Sequence, residues 1–188
     1  MTFAVGWRAV SVHAFADESR RGQVYLVAVA LVDPADLACF RKLLRSLLIP
    51  GQRELHFKRE TTDRRRMIVS RMVAAQTRVR LYKRSCIDGE ETARQVCLTR
   101  LVSDLVIDGA HRLVLDERTG RNAHDERTIR AVLGKQPRDL GLAYEHLDSA
   151  CEPLLWIADA TAWCVGAGGD WGRRIAPVLA GIVDLDRR

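Results

Sequence analysis

The sequence has few cysteines and lacks the paired spacings that mark a disulfide framework or a zinc site. No two of the five cysteines form a C-x-x-C pair. Cys39, Cys97 and Cys164 fall within apolar helical patterns, where a thiol packs as a small hydrophobic group. We therefore expect reduced, packed thiols and neither disulfide nor zinc chemistry. The five are Cys39, Cys86, Cys97, Cys151 and Cys164.

Long hydrophobic runs are also missing. No apolar run reaches the ~20 residues that a membrane-spanning helix needs. The first residues, MTFAVGWRAV, do not have the basic start, apolar stretch and small-residue cleavage site of a signal peptide. The 188 residues are 47% hydrophobic and 29% charged, which is ordinary for a globular protein. We expect one domain over residues 1–188, located in the cytoplasm and not in a membrane.

Basic residues exceed acidic ones, and most of the excess is arginine. Thirty Lys and Arg against 24 Asp and Glu give a net charge of +6. The planar guanidinium pairs well with phosphate, so this balance is compatible with a nucleic-acid partner. Many unrelated proteins share it, and the charge alone does not decide the function.

Apolar patterns predict alternating strands and helices. A continuous β-branched run at 24–32 is typical of a strand covered on both faces, and with the strand before it predicts a hairpin. The order β-β-α-α-β-α-β-α-β-α predicts a mixed sheet covered by helices, with no repeat or linker. The glycine-rich segment at 166–172 predicts a break, and residues 173–185 a short terminal helix. The predicted strands cover residues 7–17, 24–32, 77–86, 111–118 and 142–149, and the main helices cover about 33–50, 61–76, 90–109 and 152–165, with a further helix after the polar loop 119–128 that includes Ile129, Val132 and Leu133.

Two predicted strands run directly into an acidic pair. The first ends in FADES, with Asp17 and Glu18, and the fourth ends in VLDER, with Asp116 and Glu117. If these strands are parallel neighbours, Asp17 and Asp116 lie side by side at the sheet end where α/β proteins place their ligands. Such carboxylates raise one another's pKa unless a cation lies between them.

A third carboxylate, Asp159, lies inside the nearly all-apolar helix LLWIADATAWCV. Burying it without a partner costs several kcal/mol or more, so something must compensate its charge. Three converging carboxylates are the oxygen ligands that Mg²⁺ or Mn²⁺ prefers, and a pair of such ions can promote phosphodiester cleavage. The alternatives are structural: a strand-end aspartate is often a turn former or helix cap, and Asp159 could pair with an arginine.

Other residues have both a structural and a functional interpretation. His56 is either a hydrogen-bonded surface histidine or a proton carrier that works near neutral pH. The run 64–66, all arginine, is either a solvated helix face or a phosphate clamp bordering the acidic residues. Trp156 and Trp163 lie on one helix face and are better explained as core residues than as base-stacking platforms.

The ordered motifs resemble the DUF3800 domain family of uncharacterised, mostly prokaryotic proteins. The matching elements are FADES followed by YLVAVALV, the Glu-x-His element in ELHF, LVLDE, and YEHLDS followed by LLWIADATAW. Two positions depart from the family pattern: Arg20 stands where glycine usually follows Asp-Glu-Ser, and Trp156 replaces a polar residue before Ala-Asp.

This resemblance implies a fold, a site and an activity. The implied fold is ribonuclease H-like, with a five-stranded mixed sheet whose first three strands are antiparallel and with helices on both faces. The implied metal-binding residues are Asp17, Asp116 and Asp159, with Glu54, His56 or Glu18 as a further ligand or proton carrier.

The leading hypothesis is thus a nuclease that uses Mg²⁺ or Mn²⁺ to hydrolyse RNA or DNA. The second hypothesis is a catalytically silent nucleic-acid-binding or assembly module with the same fold, since such folds can keep binding after losing catalysis. A small-molecule phosphotransferase is disfavoured because the sequence has no phosphate-binding loop. The oligomeric state does not follow from the sequence.

Overall fold

Six strands are present in the computed structural model, which describes residues 12–134 and 141–187. The predicted strand start at residues 7–11 lies outside these ranges. The hairpin prediction is confirmed, since the first two strands pair antiparallel around a turn at Gly22, whose φ of 56° suits glycine. The strands are β1 (Val12–Arg21), β2 (Val24–Val32), β3 (Val79–Ser85), β4 (Ala110–Asp116), β5 (Ala143–Leu147) and β6 (Leu179–Asp184).

The sheet has the strand order β5-β4-β1-β2-β3-β6. Strands β1, β2 and β3 are antiparallel in sequence, as predicted, whereas β4 runs parallel to β1 and β5 runs parallel to β4. The apolar run of β2 lies near the middle of this sheet and is almost entirely buried, because helices cover both of its faces.

The prediction of five strands is wrong, because the described residues form a sixth. Residues 179–184, predicted as part of a short terminal helix, form β6 and pair parallel with β3. A short apolar run suits either a helix or a covered strand, and here the free edge of β3 decides for the strand. The predicted break at 166–172 is also wrong in part, since a short helix begins at Gly169.

Helices cover both faces of the sheet, as predicted. They are α1 (Leu37–Arg45), α2 (Thr62–Ala74), α3 (Glu90–Ile107), α4 (Asn122–Leu133), α5 (Leu155–Ala167) and α6 (Gly169–Ile175). Phe15 and Val114 face the core formed with α1, α2, α5 and α6, whereas Ala14 and Leu113 face the core formed with α3 and α4. This alternation follows from the two-residue period of a strand, so successive side chains of β1 point to opposite faces of the sheet.

The cysteines are free, and the expectation that they pack in the core holds for some of them. Cys97 and Cys164 are buried, but Cys39 is exposed because α1 turns that side toward solvent. In the part of the chain that the structure describes, no helix is long and apolar enough to cross a membrane.

Candidate functional site

The parallel pairing of β1 with β4 brings two of the predicted aspartates together. The last paired residues are Ala16 and Leu115, so Asp17 and Asp116 follow them in register. Asp17 lies two residues after Phe15, and Asp116 lies two residues after Val114. Residues two apart in a strand share a face, so both aspartate side chains point to the face that α5 covers. The prediction that Asp17 ends its strand is wrong, because β1 continues to Arg21 in its pairing with β2.

Asp159 reaches the same face from α5. The residues around it in this helix are almost all buried, whereas its own side chain keeps 16% exposure. Its Oδ2 accepts a hydrogen bond of 2.9 Å from the backbone N–H of Phe57 and lies 3.8 Å from Nδ1 of His56. This carboxylate is therefore partly compensated by a peptide dipole and a histidine, and no arginine contacts it within the described residues.

The pKa of Asp17 shows that the three carboxylates share one electrostatic environment. Burial raises this pKa well above its usual range, and the negative charges of Asp159, Glu18 and Asp116 raise it further. A single backbone hydrogen bond, from the N–H of Glu18, acts in the opposite direction. The charges of Asp159 and Asp116 therefore both act on Asp17.

The pKa of Asp116 is raised to about 7, first by burial and then by neighbouring carboxylates. Those neighbours are, in decreasing order of effect, Glu18, Asp159, Asp148 and Glu54. Burial also raises the pKa of Asp159, while the Phe57 N–H and His56 lower it. Asp116 forms no ion pair within residues 12–134 and 141–187, so nothing there neutralises its charge when it ionises.

This donor set fits a hard divalent cation. Carboxylate oxygens are the ligands that Mg²⁺ and Mn²⁺ prefer, and a cation between them would remove the repulsion that raises their pKa. Among the described residues, no group of three or more His, Cys, Asp or Glu side chains is placed to hold a metal ion. The fit therefore rests on the chemistry of Asp17, Asp116 and Asp159 and on the shared face of the sheet from which they come.

Glu54 and His56 lie beside the aspartates on the segment that precedes α2. Glu54 accepts a hydrogen bond from the hydroxyl of Ser149, and the backbone oxygen of Ser149 accepts one of 2.9 Å from Nε1 of Trp156. The side chain of His56 is 46% exposed, so solvent reaches it directly. Residues 57–59 of this segment form a 3-10 turn.

The side chain of Glu18 points to the other face of the sheet, although its charge still acts on Asp17 and Asp116. Successive residues of a strand point to opposite faces, so Glu18 faces α3 while Asp17 faces α5. Its carboxylate pairs with the guanidinium of Arg94 and, at 3.1 Å, with that of Arg118. The structure therefore holds Glu18 by two cations behind the site.

A buried ion network on this second face was not predicted from the sequence. The Arg94 guanidinium is 4% exposed and donates two hydrogen bonds, of 2.8 and 2.6 Å, to the Asp125 carboxylate, which is 2% exposed. Burial would raise the pKa of Asp125, but hydrogen bonds from Arg94 and His146 outweigh it and lower that pKa. Residues 31 positions apart carry no local signal of such a pair.

Asp148 is a second residue that the sequence analysis missed. It directly follows β5, and its charge contributes to the raised pKa of Asp116. The pattern that identified the other aspartates, an acidic residue at the end of a strand, applies to Asp148 as well. Its exposed side chain also accepts a hydrogen bond of 2.7 Å from the N–H of Ala150, as a turn-forming aspartate does.

Comparison with solved structures shows the fold class. The chain is similar to a chain in the structure of the PCNA:RNase HII complex from Archaeoglobus fulgidus, with a TM-score of 0.57 and 16% identity over 83% of this chain and 73% of that one. Two structures of Bst-RNase HIII also match, one of a mutant protein with a TM-score of 0.41 and one of a complex with Mn²⁺ with a TM-score of 0.44. Both are 13% identical to this chain, and each match covers 84% of this chain and 55% of the other.

The chain therefore has an α/β fold of the ribonuclease H-like class, with a sixth strand added beside β3. At 16% identity the likeness concerns the fold alone. No protein-family model matches the chain, and no curated protein matches it. The resemblance to the DUF3800 domain family stays a prediction.

Proposed function

We propose that this protein is a metal-dependent nuclease of the DUF3800 type, which hydrolyses phosphodiester bonds in nucleic acid. One observation supports this proposal above the others. Three aspartates from three different elements lie on one side of the sheet, where burial raises their pKa values, and no arginine or lysine forms an ion pair with them within the described residues. The second face of the same sheet shows the contrast, since Arg94 and Arg118 neutralise its carboxylates.

The metal-binding residues in this proposal are Asp17, Asp116 and Asp159, and the ion is Mg²⁺ or Mn²⁺. When bound, such an ion activates water for attack and stabilises the charge that develops on a phosphodiester. Asp17 and Asp116 are fixed by the β1–β4 register, whereas Asp159 is fixed by the packing of α5. The protein thus holds its ligands on rigid elements.

Glu54 and His56 have supporting roles in this proposal. Glu54 is oriented by the Ser149 hydroxyl and adds a fourth negative charge near Asp116. His56 is exposed and lies 3.8 Å from the Asp159 carboxylate, so it can exchange protons between solvent and the site near neutral pH. The net charge of +6 agrees with a polyanionic substrate.

The test combines metal binding with cleavage. The wild-type protein and the variants Asp17→Asn and Asp116→Asn are each incubated with Mn²⁺ and labelled RNA, DNA or RNA–DNA hybrid, and cleavage is measured. Calorimetry measures Mn²⁺ binding to each of the three proteins. We expect both variants to lose cleavage and to bind Mn²⁺ at least about tenfold more weakly, because each removes a charged ligand. Asp36→Asn is the matched control, since Asp36 is exposed and follows the opposite end of the sheet.

Two results separate this proposal from its alternative. Equal cleavage by the wild type and both variants would reject the assignment of the aspartates. Salt-sensitive binding of nucleic acid with neither Mn²⁺ binding nor turnover would instead support a catalytically silent binding module of the same fold.

A further inference from the structure

Two arginines lie over one tryptophan on the same face of the sheet as the aspartates. The guanidinium carbon of Arg65 is 4.5 Å from the ring centroid of Trp163, and that of Arg21 is 5.0 Å from it. Phe57 and Trp171 pack edge-on against this indole, with centroids 5.3 and 5.6 Å away. The indole is therefore packed by two aromatic rings, and two guanidinium groups lie within 5.0 Å of its centroid.

Arg21 has no polar partner among the described residues. Its Nη2 is buried and forms no hydrogen bond, and its guanidinium forms no ion pair there. A methyl group at Gly166 would come within 2.6 Å of the Arg21 Cγ, so the glycine of α5 provides the room for this side chain. A buried, charged donor without a partner is costly, and an anion is the partner it lacks.

Arg65 differs from the arginines on either side of it. Arg64 pairs with Glu60 at 2.5 Å and Arg66 pairs with Asp63 at 3.1 Å. The Arg65 guanidinium contacts no carboxylate and donates to the backbone oxygens of Phe57 at 2.9 Å and of residue 58 at 2.6 Å. Of this basic run, only Arg65 keeps a positive charge without an acidic partner in the described chain.

The two arginines adjoin the carboxylates through short, rigid connections. Arg21 lies four residues beyond Asp17 on the same face of β1, about 13 Å along the strand. Trp163 lies one helical turn after Asp159 in α5. Phe57 bridges the two groups, since its N–H donates to Asp159 and its carbonyl accepts from Arg65.

We propose that Arg21 and Arg65, held on Trp163, form a phosphate-binding subsite for the nucleic-acid backbone beside the carboxylate site. The guanidinium fork matches phosphate oxygens, and stacking on an indole keeps the fork in place. The subsite engages a phosphate of the bound strand other than the one between the aspartates. This inference rests on the nucleic-acid substrate proposed above, but it does not require that the strand be cleaved.

The experiment measures binding without metal. The anisotropy of a short fluorescein-labelled RNA–DNA hybrid is followed in EDTA over a range of salt concentrations, for the wild type, Arg21→Gln and Arg65→Gln. We expect each variant to bind about tenfold more weakly and to reduce the salt slope by about 1, since each removes one phosphate contact. Arg66→Gln is the matched control on the same helix, and it should bind like the wild type because Arg66 pairs with Asp63 on the exposed side.

Gly166→Ala gives a second test that leaves the charge unchanged. The added methyl group would lie 2.6 Å from Arg21 Cγ and 3.1 Å from Leu26 Cδ1, so it displaces Arg21 and presses on Leu26. Binding should weaken severalfold while Arg65 still contributes, and thermal unfolding of the variant shows whether the fold is kept. Inorganic pyrophosphate serves as a competitor, and it should displace the hybrid less well from Arg21→Gln than from the wild type.

The subsite and the nuclease proposal fail separately. If Arg21→Gln and Arg65→Gln bind the hybrid as Arg66→Gln does, the subsite is refuted, whether or not Asp17→Asn abolishes cleavage. If no metal supports cleavage but both arginine variants weaken binding in EDTA, the subsite stands and the nuclease proposal does not.

Discussion

Replacing Asp116 by asparagine should stabilise the protein at alkaline pH in the absence of metal. The pKa of this carboxyl is raised to about 7 in the folded protein, from 3.8 in an unperturbed chain. Above pH 7 the folded protein must ionise a group that its surroundings keep protonated, and this costs stability. Asparagine resembles the protonated form and avoids that cost, and Asp116 has no ion pair within the described residues for the change to break.

The magnitude follows from the two pKa values. The rise in the Asp116 pKa from 3.8 to about 7 corresponds to about 4 kcal/mol of lost stability once the carboxyl is ionised in both the folded and the unfolded protein. The sign is that of an acid whose folded pKa is raised: the wild type loses stability relative to the variant as pH rises from about 4 to 7, and the difference is constant above that. It amounts to about 2 kcal/mol at pH 5 and about 4 kcal/mol at pH 8, and these are upper bounds because the side chain is only partly buried.

Urea denaturation in EDTA at pH 5 and pH 8 measures this effect. We expect the free energy of unfolding of Asp116→Asn to exceed that of the wild type at both values, and by more at pH 8. Added Mn²⁺ should stabilise the wild type more than the variant. A variant no more stable than the wild type at pH 8 would refute the claim that Asp116 lies in an uncompensated acidic environment.

Two further substitutions test the surroundings of the site. Arg94→Met should lower the free energy of unfolding by about 3–5 kcal/mol, because it leaves the buried Asp125 carboxylate with only His146 as a partner. Arg100→Met, which removes a more exposed arginine, should cost less than about 1 kcal/mol when thermal unfolding of both variants is compared with that of the wild type; equal losses would contradict this account of the network. Ser149→Ala should weaken Mn²⁺ affinity by about tenfold in calorimetry with little loss of stability, because it frees the Glu54 carboxylate; unchanged Mn²⁺ affinity would show that this hydrogen bond does not position Glu54.

The central part of the sheet could be predicted because its signals are local. Apolar runs identified β1, β2 and β4, and an acidic pair marked β1 and β4; their parallel pairing entered as a condition, and the structure forms it. That pairing is also what set Asp17 beside Asp116. Strand β6 could not be predicted, since its six residues suit a helix or a strand until the edge of β3 is known.

The division of acidic residues between the two faces also follows partly from the sequence. The two-residue period of a strand separates Asp17 from Glu18, and this could have been foreseen once β1 was assigned. The guanidinium groups that hold Glu18 could not, because Arg94 and Arg118 come from segments distant in sequence. The same holds for Arg21, whose contact with Trp163 depends on how α5 lies across the sheet.

The packing of α5 has a consequence for how this protein can change. Its side chains are buried along nearly the whole helix, and they contact the central strands through residues such as Ile157 and Ala160. A methylene gained or lost at such a position shifts the helix by a fraction of an ångström, and Asp159 moves with it. Substitutions deep in the interior, remote from any substrate, are therefore an efficient way for evolution or selection to tune this carboxylate.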